Sequence, residues 1–253
     1  MRIKLTIEYD GTRFFGWQKQ EKFNSVQETI ETAINSVFDY KEQIELFGAG
    51  RTDTGVHATG QVAHFELINP ELINIWKCKL SKFILAINFY LQDKGTLVTN
   101  AEVVSDDFHA RFSAKMRHYK YIIFNRNVKS IIYENRVWHI AQKLDEYKMD
   151  RAAQYFLGTH NLNAFRSAHC NANNPIRTIS QIKVYRKDDF VIMEIAAKSF
   201  LHNQVRITIG TLKDIGIGKL SEDSIVKLLE SEDRTKAGIT APPYGLYLVD
   251  VDY

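Results

Sequence analysis

Hydrophobic and polar residues alternate from the start of the chain. Ile3, Leu5, Ile7 and Tyr9 fall on one face, and Arg2, Lys4, Thr6 and Glu8 on the other. A period of two marks a half-buried strand, and Asp10-Gly11 then supplies turn chemistry. Ser25-x-x-Glu28 reads as a capping box. Val26, Ile30, Ala33, Ile34, Val37 and Phe38 follow at helical spacing, which predicts an amphipathic helix. The pattern then predicts a strand over 44–47, a loop from Gly48 to Gly60, a strand over 61–67 and an apolar helix over 71–87.

The second half repeats this alternation. Strands are predicted over 115–124, 137–140, 178–186 and 190–197. A helix is predicted over 145–157, with Ala152, Ala153, Phe156 and Leu157 inward and Gly158 at its end. Another covers 203–215 on Val205, Ile209 and Leu212, and Ser221 is placed to cap a short helix to about residue 230. Tyr247, Val249, Val251 and Tyr253 alternate with Leu248, Asp250 and Asp252, a closing strand. The class is therefore α+β, as two related α/β subdomains of β-α-β character, residues 1–105 and 106–253. No Pro-rich linker separates them, so one shared sheet with a cleft between the halves is expected.

Composition narrows the function only a little. With 45% hydrophobic and 25% charged residues among 253, the chain can bury a sizeable core without a metal or disulfide staple. A net charge of +3 supports a nucleic-acid partner only if the basic residues cluster. Cys78 and Cys170 stand far apart, which argues against a disulfide scaffold or a cysteine zinc site. The opening Met1-Arg2-Ile3-Lys4-Leu5 has no apolar core of a signal peptide. No apolar run approaches the ~18 residues of a membrane span. The expectation is a cytoplasmic protein with no membrane association.

Four segments could carry chemistry. In Gly48-Ala49-Gly50-Arg51-Thr52-Asp53-Thr54-Gly55-Val56-His57-Ala58, three glycines and two alanines leave little bulk around one Arg and one Asp. Such a loop lets a ligand approach the backbone, although a plain polar connection would read the same way. Asp53-Thr54-Gly55 matches the core triplet of aspartic proteases. Those need two carboxylates sharing a proton, and Arg51 favours ionisation instead. His57 and His64 are poorly spaced for zinc without a third ligand and read better as supporting or RNA-facing groups.

The second segment is Phe108-His109-Ala110-Arg111-Phe112-Ser113-Ala114-Lys115-Met116-Arg117-His118-Tyr119-Lys120-Tyr121. In it, six basic or histidine side chains interleave with four aromatic rings. Aromatics stack on unpaired bases and cations pair with phosphates, so this spacing fits RNA; an amphipathic strand with a solvated basic face fits it as well. In Phe200-Leu201-His202-Asn203-Gln204-Val205-Arg206, an Arg stands in the first turn of an otherwise apolar helix. The dipole disfavours a cation there, which hints at a carboxylate partner. Lys236-Ala237-Gly238-Ile239-Thr240-Ala241-Pro242-Pro243-Tyr244-Gly245-Leu246-Tyr247-Leu248, read alone, is a stiff turn into the last strand.

Taken together, these segments resemble the tRNA pseudouridine synthase A family nearly end to end. The match adds Tyr9-Asp10-Gly11, Phe15-Gly16-Trp17-Gln18, Ser25-Val26-Gln27, Phe165-Arg166-Ser167 and Pro175-x-Arg177-x-Ile179 to the four above. The resemblance implies the pseudouridine synthase fold, two RRM-like subdomains sharing a mixed, mainly antiparallel sheet with a basic cleft. It implies isomerisation of uridine to pseudouridine at positions 38 to 40 of the tRNA anticodon stem-loop, by a homodimer with no metal and no organic cofactor. Asp53 matches the catalytic aspartate, and Arg206 its ion-pair partner. Tyr119 matches the tyrosine that stacks on the target base and is a candidate for taking the C5 proton. Arg51 matches the arginine that fills the gap left by the flipped nucleotide. Leu246 lies where an apolar side chain packs on the uracil. Arg111, Arg117 and His202 are the further candidates for substrate binding.

Chemistry supports these roles without choosing among routes. Breaking C1′–N1 and rejoining at C5 needs a group that holds one fragment. Asp53 can attack C1′ or uracil C6, or help deprotonate the ribose. Flipping is required because a stacked base is out of reach. Thr54, Gln204 and His118 depart from the common family pattern, and Gln204 raises a question of local packing. The alternative function is a tRNA-binding protein without catalysis, which the presence of Asp53, Tyr119 and Arg206 disfavours.

Overall fold

The computed structural model describes residues 1–253 except His169 and Asn171. The chain is α+β, and it divides into two compact units, residues 1–115 with 248–253, and residues 116–247. The break falls after Lys115, later than the division near 105 drawn from the pattern. Residues 106–115 are held by unit 1 through hydrogen bonds. The Arg2 guanidinium donates to Phe108 O, Ala110 N–H to His64 Nδ1, and Lys115 N–H to Asp252 O.

Unit 1 opens with β1 (Arg2–Tyr9), whose Ile3, Leu5, Ile7 and Tyr9 are buried as their alternation predicts. Helix α1 (Val26–Val37) begins where Ser25 accepts the Glu28 N–H at 3.3 Å. The strand expected over 44–47 shrinks to β2 (Phe47–Gly48). The N–H groups of Ile44 and Leu46 are taken by Asn35 and Glu31 of α1 at 2.9 Å each, so no ladder forms there. β3 (His57–Glu66) starts earlier than expected and shortens the glycine-rich loop.

The single helix expected over 71–87 is two, α2 (Pro70–Trp76) and α3 (Leu80–Tyr90). Trp76 and Phe83 lie 5.3 Å apart. Seven residues along one continuous helix would separate them by about 10 Å, so the contact requires the break. β4 (Thr96–Val104) is a strand the pattern did not reveal. Its pairing with β1 slips between Thr6 and Ile7, which passes over Thr99 and breaks the period of two. β1 lies between β3 and β4, antiparallel to both.

Unit 2 is built on β5 (Met116–Phe124), β8 (Ile176–Lys187) and β9 (Phe190–Ala197). β9 pairs antiparallel with both of the others. The short β6 (Trp138–His139) runs parallel to β5, and β7 (Gly158–Asn161) pairs with β8. α4 (Glu146–Ala153) ends sooner than expected, in a 3-10 turn over Gln154–Phe156, and Gly158 at φ +95° turns the chain into β7. α5 (Gln204–Gly216) is buried on most of its surface. α6 (Ser224–Ser231) has Asp223 at its cap position, not Ser221, whose hydroxyl pairs with that of Ser224 at 3.1 Å. β10 (Leu246–Asp252) closes the chain, and from Leu248 on it belongs to unit 1. Among the described residues, no helix is long and apolar enough to cross a membrane.

His57 and His64 prove to be core groups of unit 1, 3% and 2% exposed. Burial, then the neighbouring His109 and Arg2, push the His64 pKa down to about 4. Its ring accepts the Ala110 N–H, stacks on Phe47 and stays neutral when folded. Below about pH 6.5 the unfolded chain binds a proton there that the folded chain refuses until about pH 4. Stability therefore falls as pH drops through that window, by up to about 3 kcal/mol from this residue. Urea melts between pH 4.5 and 7 should show this slope in wild type and a shallower one in His64→Phe. The substituted protein should be less stable at pH 7, because the Ala110 N–H loses its acceptor.

Candidate active site

The loop that carries Asp53 is shaped by the segment 9–17, and the contacts are mostly backbone on backbone. Trp17 N–H donates to Thr52 O at 3.1 Å. Gly55 N–H reaches Phe14 O at 3.4 Å, and Val56 N–H closes a turn onto Asp53 O at 3.1 Å. Gly16 sits at φ +95°, and a Cβ on it would stand 2.6 Å from Thr52 O. A Cβ on Gly11 would stand 2.1 Å from Val56 O. Neither approach leaves room for a side chain.

Four side chains complete the clamp. The buried Thr52 hydroxyl bonds the Tyr9 hydroxyl at 2.8 Å. His57 Nδ1 accepts the Gly11 N–H at 3.0 Å, so the ring hydrogen of neutral His57 sits on Nε2. Asp10 caps the 3-10 turn Gly11–Arg13 by accepting the Thr12 N–H. Within this frame Asp53 is half-buried, while Arg51 on one side and Thr54 on the other are exposed. The framing residues Tyr9, Phe14, Gly16 and Thr52 were not singled out as site residues in the sequence, whereas His57 was read there as a supporting or RNA-facing group. The pairing of an early Tyr-Asp-Gly with a later Gly-Val-His was the available signal, but nothing in either segment alone says that they touch.

Unit 2 holds Arg117, Tyr119, His202, Arg206 and Leu246. Arg117, Tyr119 and Tyr121 alternate along β5 and share a face. Tyr119 is 8% exposed and meets Phe200 edge-on at 5.2 Å. Arg117 donates to Lys198 O. Both contacts set the 198–203 turn against β5.

Arg206 is anchored at its own end of α5. Nε donates to Ala241 O and Nη1 to Asn203 Oδ1, each at 2.7 Å, while Ala241 N–H returns to Arg206 O at 3.2 Å. Asn203 is left-handed at φ 63°, a conformation that Asn tolerates better than most residues. Gln204, the departure that raised a packing question, is buried, and its Oε1 accepts the Leu201 N–H at 2.9 Å, so it closes the same turn. The tail that read as structural does hold Arg206.

Tyr121 ties down the same tail. Its hydroxyl donates to Pro242 O at 2.8 Å, and Gly245 lies flat on its ring, leaving no room for a Cβ. Burial pushes the Tyr121 hydroxyl well above its usual range against the opposing pull of Arg206. It therefore remains a donor and anchor. Leu246, the next residue, is 6% exposed. His202 is exposed, and its carbonyl accepts the Ser167 N–H. Arg111, in unit 1, is exposed beside Phe112. Among the described residues, no three His, Cys, Asp or Glu side chains gather as a metal site.

Asp53 is thus held in a glycine-lined loop of unit 1, while Tyr119 and Arg206 are held separately in unit 2. The pattern of the family described as tRNA pseudouridine synthase matches residues 5–113 and 152–253, and the chain belongs to that family. Proteins named tRNA pseudouridine synthase A are similar along their full length. One from Wolbachia sp. subsp. Drosophila simulans (strain wRi) is 46% identical over 255 residues, covering 100% of both chains. One from Acetivibrio thermocellus is 45% identical over 251 residues, covering 99% of each. One from Ehrlichia canis is 44% identical over 257 residues, again with full coverage.

The clamp gives a direct test. Gly16→Ala should destabilise the fold by about 1–3 kcal/mol through its positive φ and the clash with Thr52 O. It should lower turnover further than that loss explains, because the strain falls on the Asp53 loop. Thermal melts alongside turnover, measured well below the melting temperature, would check this. Turnover equal to wild type would show that the loop does not depend on the clamp.

Proposed function

We propose that the protein isomerises uridine to pseudouridine at positions 38 to 40 of the tRNA anticodon stem-loop, with Asp53 as its essential carboxylate. The observation that carries this reading is the placement of Asp53: half-buried between exposed Arg51 and Thr54, in a loop whose backbone is fixed on both sides. A carboxylate held this way acts on substrate without reorganising first, the condition for strong electrostatic and nucleophilic catalysis.

The chemistry closes without a co-reactant. The C1′–N1 bond breaks, the freed uracil turns, C1′ joins C5, the C5 proton leaves and N1 gains a proton. Asp53 as an anion stabilises or captures the fragment left by glycosidic cleavage. Arg206 serves as its counter-ion, and its anchoring by Ala241 and Asn203 fixes where the guanidinium points. Tyr119 stacks on the target base and takes the C5 proton, and Leu246 packs on the uracil. Arg51 fills the space in the stem-loop once the base has flipped. Arg111, Arg117 and His202 contact the RNA backbone. The protein works as a homodimer in the cytoplasm, with a basic cleft for the tRNA. These roles rest on the match of each position to the family's motifs.

Two substitutions test the assignment. Asp53→Asn should abolish isomerisation while tRNA affinity stays within about tenfold, since phosphate contacts dominate affinity. Arg206→Ala should lower turnover, with a smaller effect on tRNA affinity. Pseudouridine formation by Asp53→Asn at a rate near wild type would refute the role of the carboxylate. Turnover by Arg206→Ala equal to wild type would separate Arg206 from Asp53.

A further inference from the structure

We propose that Phe112, with Arg111 beside it, is a ledge on which an unpaired base of the tRNA stacks, positioning the substrate relative to the Asp53 loop. The inference rests on the tRNA reading above and adds to it a residue and a contact. Phe112 is 74% exposed, among the most exposed aromatic rings of the described residues. It is also held firmly. His109 N–H donates to Ser113 Oγ and Ser113 N–H to His109 O, each at 2.9 Å. His109 Nδ1 accepts the Arg111 N–H at 3.1 Å.

The turn is bolted to unit 1 from below. Ala110 N–H donates to buried His64 at 3.2 Å, and the Tyr253 hydroxyl donates to Ala110 O at 2.8 Å. The rings form a ladder from core to surface. Phe47 stacks on His64 at 5.3 Å, His64 meets His109 at 4.7 Å, and His109 backs Phe112 at 4.4 Å. The Arg111 guanidinium lies 5.6 Å from the Phe112 centroid.

A phenyl ring kept in water by this many hydrogen bonds is not serving the core. Because the turn is already ordered, a partner that stacks on it pays little ordering entropy. A flat ring beside a guanidinium matches a nucleobase and its phosphate, the usual way in which unpaired RNA is held. The ledge lies within reach of the Asp53 loop. Phe47 stands in the ladder, and the chain from Phe47 to Asp53 spans at most about 20 Å. One RNA loop can therefore touch both.

The test is binding of full-length tRNA transcripts by wild type and by Phe112→Ala, Phe112→Leu and Phe112→Trp, with circular dichroism melts and sedimentation of each. The transcripts carry single abasic substitutions at each unpaired position in turn. Phe112→Ala should weaken binding about tenfold or more, Phe112→Leu less, and Phe112→Trp little. One abasic position should weaken wild type by a similar factor and leave Phe112→Ala unchanged. If Phe112→Ala binds within twofold of wild type, or loses affinity equally on every abasic transcript, the ledge is refuted. A change in sedimenting mass in Phe112→Ala would also refute it, by assigning the ring to a contact between copies of the chain. Isomerisation is measured separately on the same transcripts. A wild-type protein that shows the abasic pattern but forms no pseudouridine would overturn the proposed function and leave the ledge standing.

Discussion

The arrangement depends on two backbones meeting where no side chain can stand. Gly16 lies against Thr52 O and Gly11 against Val56 O, at distances that a Cβ would violate. Because both partners are main chain, the Asp53 loop takes its position from β1 and the turns after it, not from rotamers that could relax. The Trp17-to-Thr52 bond and the Val56-to-Asp53 turn then fix the backbone on each side of the aspartate. The catalytic role proposed for Asp53 calls for this kind of support, since a misplacement of about 1 Å can cost orders of magnitude in rate.

Unit 2 solves a similar problem by other means. Arg206 stands at the start of α5, where the helix dipole is unfavourable to a cation. Its guanidinium is met by the Ala241 carbonyl and the Asn203 side chain, and a left-handed Asn203 makes the turn that brings its oxygen there. Tyr121 holds the same tail through Pro242 and leaves Gly245 flat on its ring. The Pro-Pro-x-Gly ending therefore does more than steer the chain into its last strand. It supplies the acceptor that orients an arginine and places Leu246 directly after it.

Much of this was legible in the sequence, for identifiable reasons. β1 and α1 obey their periods, because each has one face in the core and one in water. The elements that differed did so where tertiary contacts overrode the pattern. Strand 44–47 lost its ladder to Asn35 and Glu31, the helix over 71–87 broke so that Trp76 could reach Phe83, and β4 was hidden by a slip at Thr99. Asp53 stood out by its glycine-rich surroundings and Arg206 as a cation in the first turn of an apolar helix, while Tyr119 was picked out only by the resemblance to the family. The rest of the frame around Asp53 did not, since Tyr9, Gly16 and Thr52 matter only through contacts across some forty residues. His64 could equally have faced RNA, and only its burial beneath Ala110 and Phe47 assigns it to the core.

The central claim is that the anchored Asp53 loop serves to rearrange uridine within tRNA. The most direct measurement is site-resolved pseudouridine mapping on unmodified tRNA transcripts that carry a single uridine at position 38, 39 or 40, or none at any of the three, after incubation with the purified protein alone. The account predicts pseudouridine at the uridine offered and none in the transcript that lacks one. Tight binding of all four transcripts with no pseudouridine in any would contradict it and leave an RNA-binding protein without this chemistry.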